Sequence, residues 1–131
     1  KGNWRLQMCH QNSLRFYNGI AYDETYNGLV MDEDEGARIA RLMGDKNILF
    51  HRNHGVMVCA ATVAQAFDDL YYLERAAQVQ VLAMSAGQGL QLISDAVAQK
   101  FLQDMGEDYA TSAQLHFEAR KRELLRSEKD R

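Results

Sequence analysis

The sequence NILFHRNHGVMVCAATVAQAFDDLYYLERAAQVQVLAMSAG, residues 47–87, decides the fold. Residues 48–50 and 56–58 are short apolar runs bounded by polar or small residues, which predicts two strands. Between them lie Asn53 and Gly55, two residue types that tolerate positive φ and favour a tight turn. The pattern therefore predicts a turn that holds the imidazole of His54 at the mouth of two apolar strands.

A long helix follows this hairpin. Thr62 with Gln65 three residues later forms the pattern of a capping box, and Gly87 supplies a C-terminal stop. Apolar residues recur between them in steps of three and four, which predicts a buried stripe. At 1.5 Å per residue the helix would be about 35 Å long, so we expect it to be the centre of stability. The predicted stripe consists of Val63, Phe67, Leu70, Leu73, Ala77, Val81 and Met84.

The same stretch resembles the class II aldolase/adducin family. The resemblance lies in the order of strand, Asn-His-Gly turn, strand, Thr-Val pair and long helix with an internal glutamate. It covers most of the chain, more loosely before Asn47 and hardly at all after Gln88, and it is closer to the adducin-like branch. The residues that carry it are 52–56 (RNHGV), 62–64 (TVA), 66–67 (AF), 72–76 (YLERA) and 79–81 (VQV).

The resemblance implies a fold and an assembly. Family members are α/β proteins with a central mixed sheet covered by helices, and they form oligomers about a rotation axis. We therefore expect residues 1–131 to be one domain, the C-terminal part of a three-layer α/β/α sandwich, that self-associates as a homo-oligomer. The charged segment 126–131 is expected to be a frayed tail.

The resemblance also implies a metal site at His54. In the family's metal-dependent aldolases this histidine is one of three imidazoles on a zinc ion, which acts as a Lewis acid on the substrate oxygens. The other two belong to an upstream His-x-His pair, preceded by an acid/base glutamate, and neither occurs in this sequence. We therefore assign His54 as a metal ligand in the intact protein, assign no catalytic or substrate-binding residue, and expect this chain alone to hold no stable zinc.

Two functions stay open from sequence. One is a zinc-dependent lyase acting on a small carbonyl compound such as a sugar phosphate. The other is a non-catalytic, adducin-like structural or oligomerisation module. Fold alone does not choose between them.

Other polar residues of the stretch have simpler interpretations. His51 is interpreted as a polar residue at a strand end, and Glu74 as the partner of a Lys or Arg. Asp68, Asp69 and Arg75 are expected to form a solvated face of the helix. Tyr71 and Tyr72 are interpreted as packing residues.

Composition excludes some partners. The 131 residues carry a net charge of −3, which favours neither nucleic acid nor an anionic membrane surface. No apolar run is as long as a membrane span. Cys59 lies in an apolar strand, so we expect a buried free thiol instead of a disulfide with Cys9, and hence a reducing, cytoplasmic setting.

Four further elements are predicted outside the stretch. Residues 14–22 read as a strand with Phe16, Ile20 and Tyr22 on one face, followed by a loop over 23–31. A helix begins at Asp32 and ends at Gly44, another runs from Ser94 to about Gln103 before Gly106, and a last one begins near Thr111 or Ser112. Their expected buried residues are Ile39, Leu42 and Met43, then Val97, Phe101 and Leu102, then Leu115, Phe117 and Leu124.

Overall fold

The computed structural model describes residues 4–29, 33–106 and 108–129. A 3-10 helix, Gln11–Phe16, comes first. Three strands follow: β1 (Ile20–Asp23), β2 (Ile48–His51) and β3 (Gly55–Val58). The helices are α1 (Glu33–Met43), α2 (Val63–Ser85), α3 (Asp95–Met105) and α4 (Tyr109–Lys129). None of the helices in these ranges combines the length and the apolar character needed to cross a membrane.

The three strands form a mixed sheet in the order β1-β2-β3. β1 and β2 are parallel, with Ile20 opposite Ile48, and α1 makes the crossover between them. β2 and β3 form an antiparallel hairpin, with Ile48 opposite Val58 and His51 opposite Gly55. The predicted α/β class with a mixed sheet is therefore confirmed, and so is the strand–turn–strand reading of residues 48–58.

The core lies between the sheet and the middle of α2. Leu73 and Ala76 of α2 pack with Ile48 of β2 and with Phe16, each at most 3% exposed. The N-terminal segment closes this core: the amide of Gln80 accepts a hydrogen bond from the backbone N–H of Gln7 at 2.6 Å. The same amide donates to the carbonyl of Arg5 at 3.0 Å. A buried amide on α2 thus holds an extended segment from the other end of the chain.

The start and end of α2 agree with the sequence. The hydroxyl of Thr62 accepts from the backbone N–H of Gln65 at 3.2 Å, which satisfies one free donor of the first turn. The helix ends at Ser85, and Gly87 has φ +74°, a conformation that glycine adopts without a steric penalty. Gly44 ends α1 in the same way, with φ +56°.

The predicted apolar stripe of α2 is only partly correct: Leu73 is buried and Phe67 and Ala77 are half-buried, but its other four residues are exposed. Val63, Val81 and Met84 are 74%, 65% and 46% exposed, and Leu70 is 46% exposed. The helix is rotated relative to that prediction because small residues let its neighbours approach closely, while the polar residues on that face find hydrogen-bond partners. The buried residues of α2 are Ala64, Asp68, Leu73, Ala76 and Gln80.

Predicted elements outside α2 differ from the structure in two places. Phe16 is buried in a 3-10 helix and not in a strand, because Ser13 bonds back to the carbonyl of His10 through both its N–H and its hydroxyl. The strand begins only at Ile20. The last helix begins at Tyr109, before the predicted start, and continues to Lys129. The predicted cap at Asp32 lies outside the described residues, as do residues 1–3, 30, 31, 107, 130 and 131.

Several expected core residues are exposed instead. Leu42, Val97, Leu115 and Leu124 are 38%, 53%, 66% and 59% exposed. The buried residues of α3 and α4 are alanines, Ala98 and Ala113, and α1 buries no residue. Close helix contacts in this fold therefore use methyl side chains, which a search for large apolar residues overlooks.

Candidate functional site

The β2–β3 turn carries His54, as predicted. Asn53 adopts φ +59°, and the backbone N–H of His54 donates to the carbonyl of His51 at 3.1 Å, which closes the turn. The N–H of Arg52 donates to the carbonyl of Asp23 at 3.0 Å and so fastens the turn to β1. The side chain of His54 is exposed. The backbone thus presents one imidazole at the end of the sheet.

Two other rings lie beside this imidazole. The ring centroid of His51 is 5.7 Å from that of His54, with the planes at 65°. The ring of Tyr26, from the loop after β1, lies at 6.2 Å with the planes at 35°. His51 was interpreted as a plain strand-end residue, yet the structure brings it against the predicted metal ligand.

A buried carboxylate lies behind His51. Asp23, 2% exposed, has an oxygen 3.5 Å from Nδ1 of His51. Its carboxylate accepts two hydrogen bonds from the guanidinium of Arg38, at 3.1 and 2.6 Å, and one from the N–H of Thr25 at 3.0 Å. The bonds from Arg38, reinforced by that from Thr25, hold the pKa of Asp23 below its usual value although burial opposes them. Asp23 is therefore a fixed negative charge at neutral pH.

Arg38 has a second carboxylate partner. Glu35, one turn earlier in α1, accepts from Arg38 at 2.7 and 2.8 Å and from the amide of Asn27 at 3.3 Å. The bond from Arg38 lowers the pKa of Glu35, and both carboxylates raise the pKa of Arg38. The group Asp23, Glu35 and Arg38 thus carries two negative charges and one positive charge.

These residues surround a cleft of about 160 Å³ between α1 and the turn. Its walls are part apolar and part polar, which is typical of a site for a small ligand, although its volume is below the usual range of such sites. Residues that line it include Tyr26, Leu29, Ile39, His51, His54 and Met57. The cleft was not predicted, because it forms only where the loop after β1 meets the β2–β3 turn.

The side chains around His54 determine whether a metal ion could bind at the turn. The ring of His54 has no hydrogen-bond partner within the described ranges, so a ring nitrogen is free to bind a metal. Yet nowhere in those ranges do three His, Cys, Asp or Glu side chains come together in an arrangement that could hold a metal ion. A catalytic zinc needs three protein ligands. This part of the chain therefore fits one ligand of the implied zinc and not a complete zinc site.

A second polar cluster lies at the other side of α2. Asp68 is 2% exposed; it accepts from the guanidinium of Arg15 and lies 2.7 Å from Nδ1 of His116 on α4. Asp69 accepts from the hydroxyl of Tyr109 at 2.6 Å and from Arg15 at 3.3 Å. The prediction of a solvated face at Asp68 and Asp69 is therefore wrong, since this cluster joins α2 to α4 and to the 3-10 helix.

Burial sets the proton affinities in this cluster. It raises the pKa of Asp69, against the opposing bonds from Tyr109 and Arg15. Burial also raises the pKa of the Tyr109 phenol, helped by its bond to Asp69. The sequence signal for the cluster was a row of small and polar residues in steps of four, namely Ala64, Asp68, Tyr72, Ala76 and Gln80.

The remaining predicted residues have simple surroundings. Glu74 is exposed and reaches solvent, so the ion pair expected for it is not needed. Tyr72 packs against the core, as predicted, and its ring lies 4.2 Å from the guanidinium carbon of Arg15. Cys9 and Cys59 are free, but Cys59 is exposed and not buried, because the chain leaves β3 at Val58.

Comparison with known proteins agrees with the family resemblance of the sequence. The profile described as "Class II Aldolase and Adducin N-terminal domain" matches residues 1–81. A Caulobacter vibrioides protein named after class 2 aldolases is 36% identical over 89 residues, which are 68% of this chain and 34% of that protein. Human beta-adducin is 32% identical over 89 residues, which are 67% of this chain and 12% of that protein.

Two solved structures share the fold. An aldolase II superfamily protein from Pseudomonas syringae superposes with a TM-score of 0.83 at 31% identity, over 93% of this chain and 49% of that one. An L-fuculose 1-phosphate aldolase from Glaciozyma antarctica PI12 superposes with a TM-score of 0.64 at 28% identity, over 77% of this chain and 36% of that one. The chain thus spans between about a third and a half of the length of these proteins, beta-adducin excepted.

Proposed function

Because this chain belongs to the class II aldolase and adducin family, we propose that the protein is a metal-dependent lyase in which His54 is a metal ligand. The substrate class is a small carbonyl compound of the sugar or sugar-phosphate type, and the metal is zinc. The observation that carries the proposal is the geometry of the turn, which presents the imidazole of His54 to solvent with no competing hydrogen bond. The similarity to an L-fuculose 1-phosphate aldolase supports the reaction class.

The other ligands of this zinc come, in this proposal, from outside the described residues. Within the chain, the turn supplies rigidity: bonds from its backbone to Asp23 and His51 fix where the imidazole stands. Tyr26 and His51 limit the positions that its ring can take. A ligand held in advance by its surroundings loses less entropy when the metal binds.

A second candidate is a non-catalytic module for assembly, as in the adducin-like branch. The similarity to human beta-adducin favours it. Exposed apolar residues on α2 and on β3, among them Leu70, Val81, Val56 and Met57, supply surface for self-association into a homo-oligomer. In either case we propose a cytoplasmic protein.

The experiment compares wild type with His54→Ala in a version extended upstream of Lys1 to the length of the relatives. Bound zinc, melting temperature and retro-aldol cleavage of a panel of sugar phosphates are measured on both. For the enzyme, we expect zinc and cleavage to be lost together while the melting temperature of the metal-free forms stays equal, because an exposed turn side chain adds little to stability.

Matched controls separate the two candidates. Asn53→Gly keeps the positive φ of the turn and the imidazole, so it should retain both zinc and cleavage. Wild type that neither binds zinc nor cleaves any substrate would favour the assembly module. A His54→Ala protein that keeps its zinc would contradict the assignment of His54 as a ligand.

A further inference from the structure

The turn between β2 and β3 brings a second imidazole beside His54. The ring centroids of His51 and His54 are 5.7 Å apart and their planes are inclined at 65°. Two imidazoles bound to one tetrahedral zinc at the usual Zn–N length have centroids about 5 Å apart. The observed separation exceeds this value by less than about 1 Å, so the turn brings the two rings close to chelating distance.

His51 has a carboxylate beside one of its ring nitrogens, an arrangement that metal-binding histidines commonly show. Metal-bound imidazoles commonly donate their other ring N–H to a carboxylate, which fixes the ring and raises its basicity. Nδ1 of His51 lies 3.5 Å from the buried carboxylate of Asp23, which is itself held by Arg38. The opposite nitrogen, Nε2 of His51, has no hydrogen-bond partner in the part of the chain that the structure describes.

The surrounding charges do not oppose a cation. Asp23 and Glu35 share the single positive charge of Arg38, which leaves one negative charge in the cleft. Arg52 lies in the same turn and balances that charge, while Glu24 is already paired with Arg5 at 2.7 Å. The residues around the two imidazoles therefore carry no excess positive charge that would repel a divalent cation.

We propose that His51 and His54 chelate one divalent transition metal through their imidazoles, with Asp23 as the carboxylate that orients His51. The family resemblance assigns no role to His51, and this site uses only residues of this chain. It therefore does not depend on the proposed lyase activity. Two nitrogen ligands with open positions give a weak site, selective for Ni²⁺ and Cu²⁺ over Mg²⁺ and Ca²⁺.

The test titrates Ni²⁺ into the purified chain. Calorimetry gives the affinity, and NMR follows which histidine ring signals broaden. Cys59→Ser serves as the background throughout, because the exposed thiol of Cys59 would itself bind the metal. Far-UV circular dichroism verifies that each variant is folded before its affinity is compared.

The expected result is one Ni²⁺ per chain, with the ring signals of His51 and His54 broadened together. His51→Gln and His54→Gln should each weaken binding by about 100-fold, since either leaves a single imidazole. Asp23→Asn should weaken it roughly 10-fold. His10→Gln, a matched change at a histidine outside the turn, should leave the affinity unchanged.

Three results would overturn the chelate. The first is that His51→Gln binds Ni²⁺ as tightly as the background protein. The second is that His10→Gln loses as much affinity as His51→Gln. The third is that the background protein binds Ni²⁺ no better than the His51→Gln/His54→Gln double variant. The lyase proposal is decided separately, by zinc and cleavage in the extended protein. Ni²⁺ binding by both histidines without any cleavage would contradict the lyase proposal alone. Cleavage in the extended protein, with Ni²⁺ binding that does not depend on His51, would contradict the chelate alone.

Discussion

Replacement of Asp68 by alanine tests the interpretation that the cluster on α2 holds the C-terminal helix in place. The carboxylate of Asp68 is 3% exposed, while its partners Arg15 and His116 have side chains that are 11% and 19% exposed. Removing the acid leaves the guanidinium of Arg15 largely buried, and of the two carboxylates that it contacts only the more distant one, Asp69 at 3.3 Å, remains. The buried positive charge of Arg15 then lacks its main partner, which lowers the free energy of unfolding.

The expected magnitude follows from that burial. Breaking a buried pair by removal of one partner costs about 3–5 kcal/mol. The free energy of unfolding of a whole domain is about 5–15 kcal/mol, so Asp68→Ala should remove a large part of it. The matched control is Asp104→Ala, because the Lys100–Asp104 pair has side chains 73% and 64% exposed. An exposed pair of this kind contributes at most about 1 kcal/mol.

The assay is urea unfolding at neutral pH, followed by far-UV circular dichroism. Asp68→Ala should lower the midpoint strongly, and Asp104→Ala should barely move it. If Asp68→Ala does not fold, His116→Gln takes its place, because it removes one bond to Asp68 and leaves the Arg15–Asp68 pair intact. Equal midpoints for Asp68→Ala and Asp104→Ala would refute the reasoning.

Three further predictions concern the core, acid stability and zinc. In urea unfolding, Leu73→Ala should lower the free energy of unfolding by about 2–5 kcal/mol, because its side chain is buried. Leu70→Ala, at an exposed position of the same helix, should change it by under about 1 kcal/mol. A larger effect at Leu70 would support the predicted stripe. The folded-state pKa of Asp23 is lowered, so its contribution is complete above the unfolded pKa of about 4 and is lost as the pH falls through the folded value. Asp23→Asn should therefore unfold with a smaller change between pH 5 and pH 2 than wild type, and an identical pH dependence would contradict the assignment. This chain alone should bind zinc weakly or not at all, measured by metal analysis after dialysis; one zinc per chain with sub-micromolar affinity would count against the incomplete ligand set.

Some parts of the candidate site could be predicted from sequence and others could not. Asn53 and Gly55 indicated the turn because positive φ is a property of single residues and their neighbours. The same holds for the Thr62 cap and the Gly87 stop of α2. The contact of Asp23 with His51 could not be predicted, because 28 positions separate the two residues and only the parallel pairing of β1 with β2 sets them opposite one another.

The sequence by itself determined the four α-helices, the hairpin, the α/β class and the position of His54 at a turn. These follow from hydrogen bonds and backbone preferences that act over a few residues. Only the tertiary structure decided which face of α2 is buried. Alanines at 64 and 76 admit close neighbours, and Asp68 becomes buried because Arg15 and His116 arrive from distant elements to pair with it. Burial depends on contacts between elements that are distant in sequence. The pattern within one helix therefore identifies its apolar residues but does not determine which of them become buried.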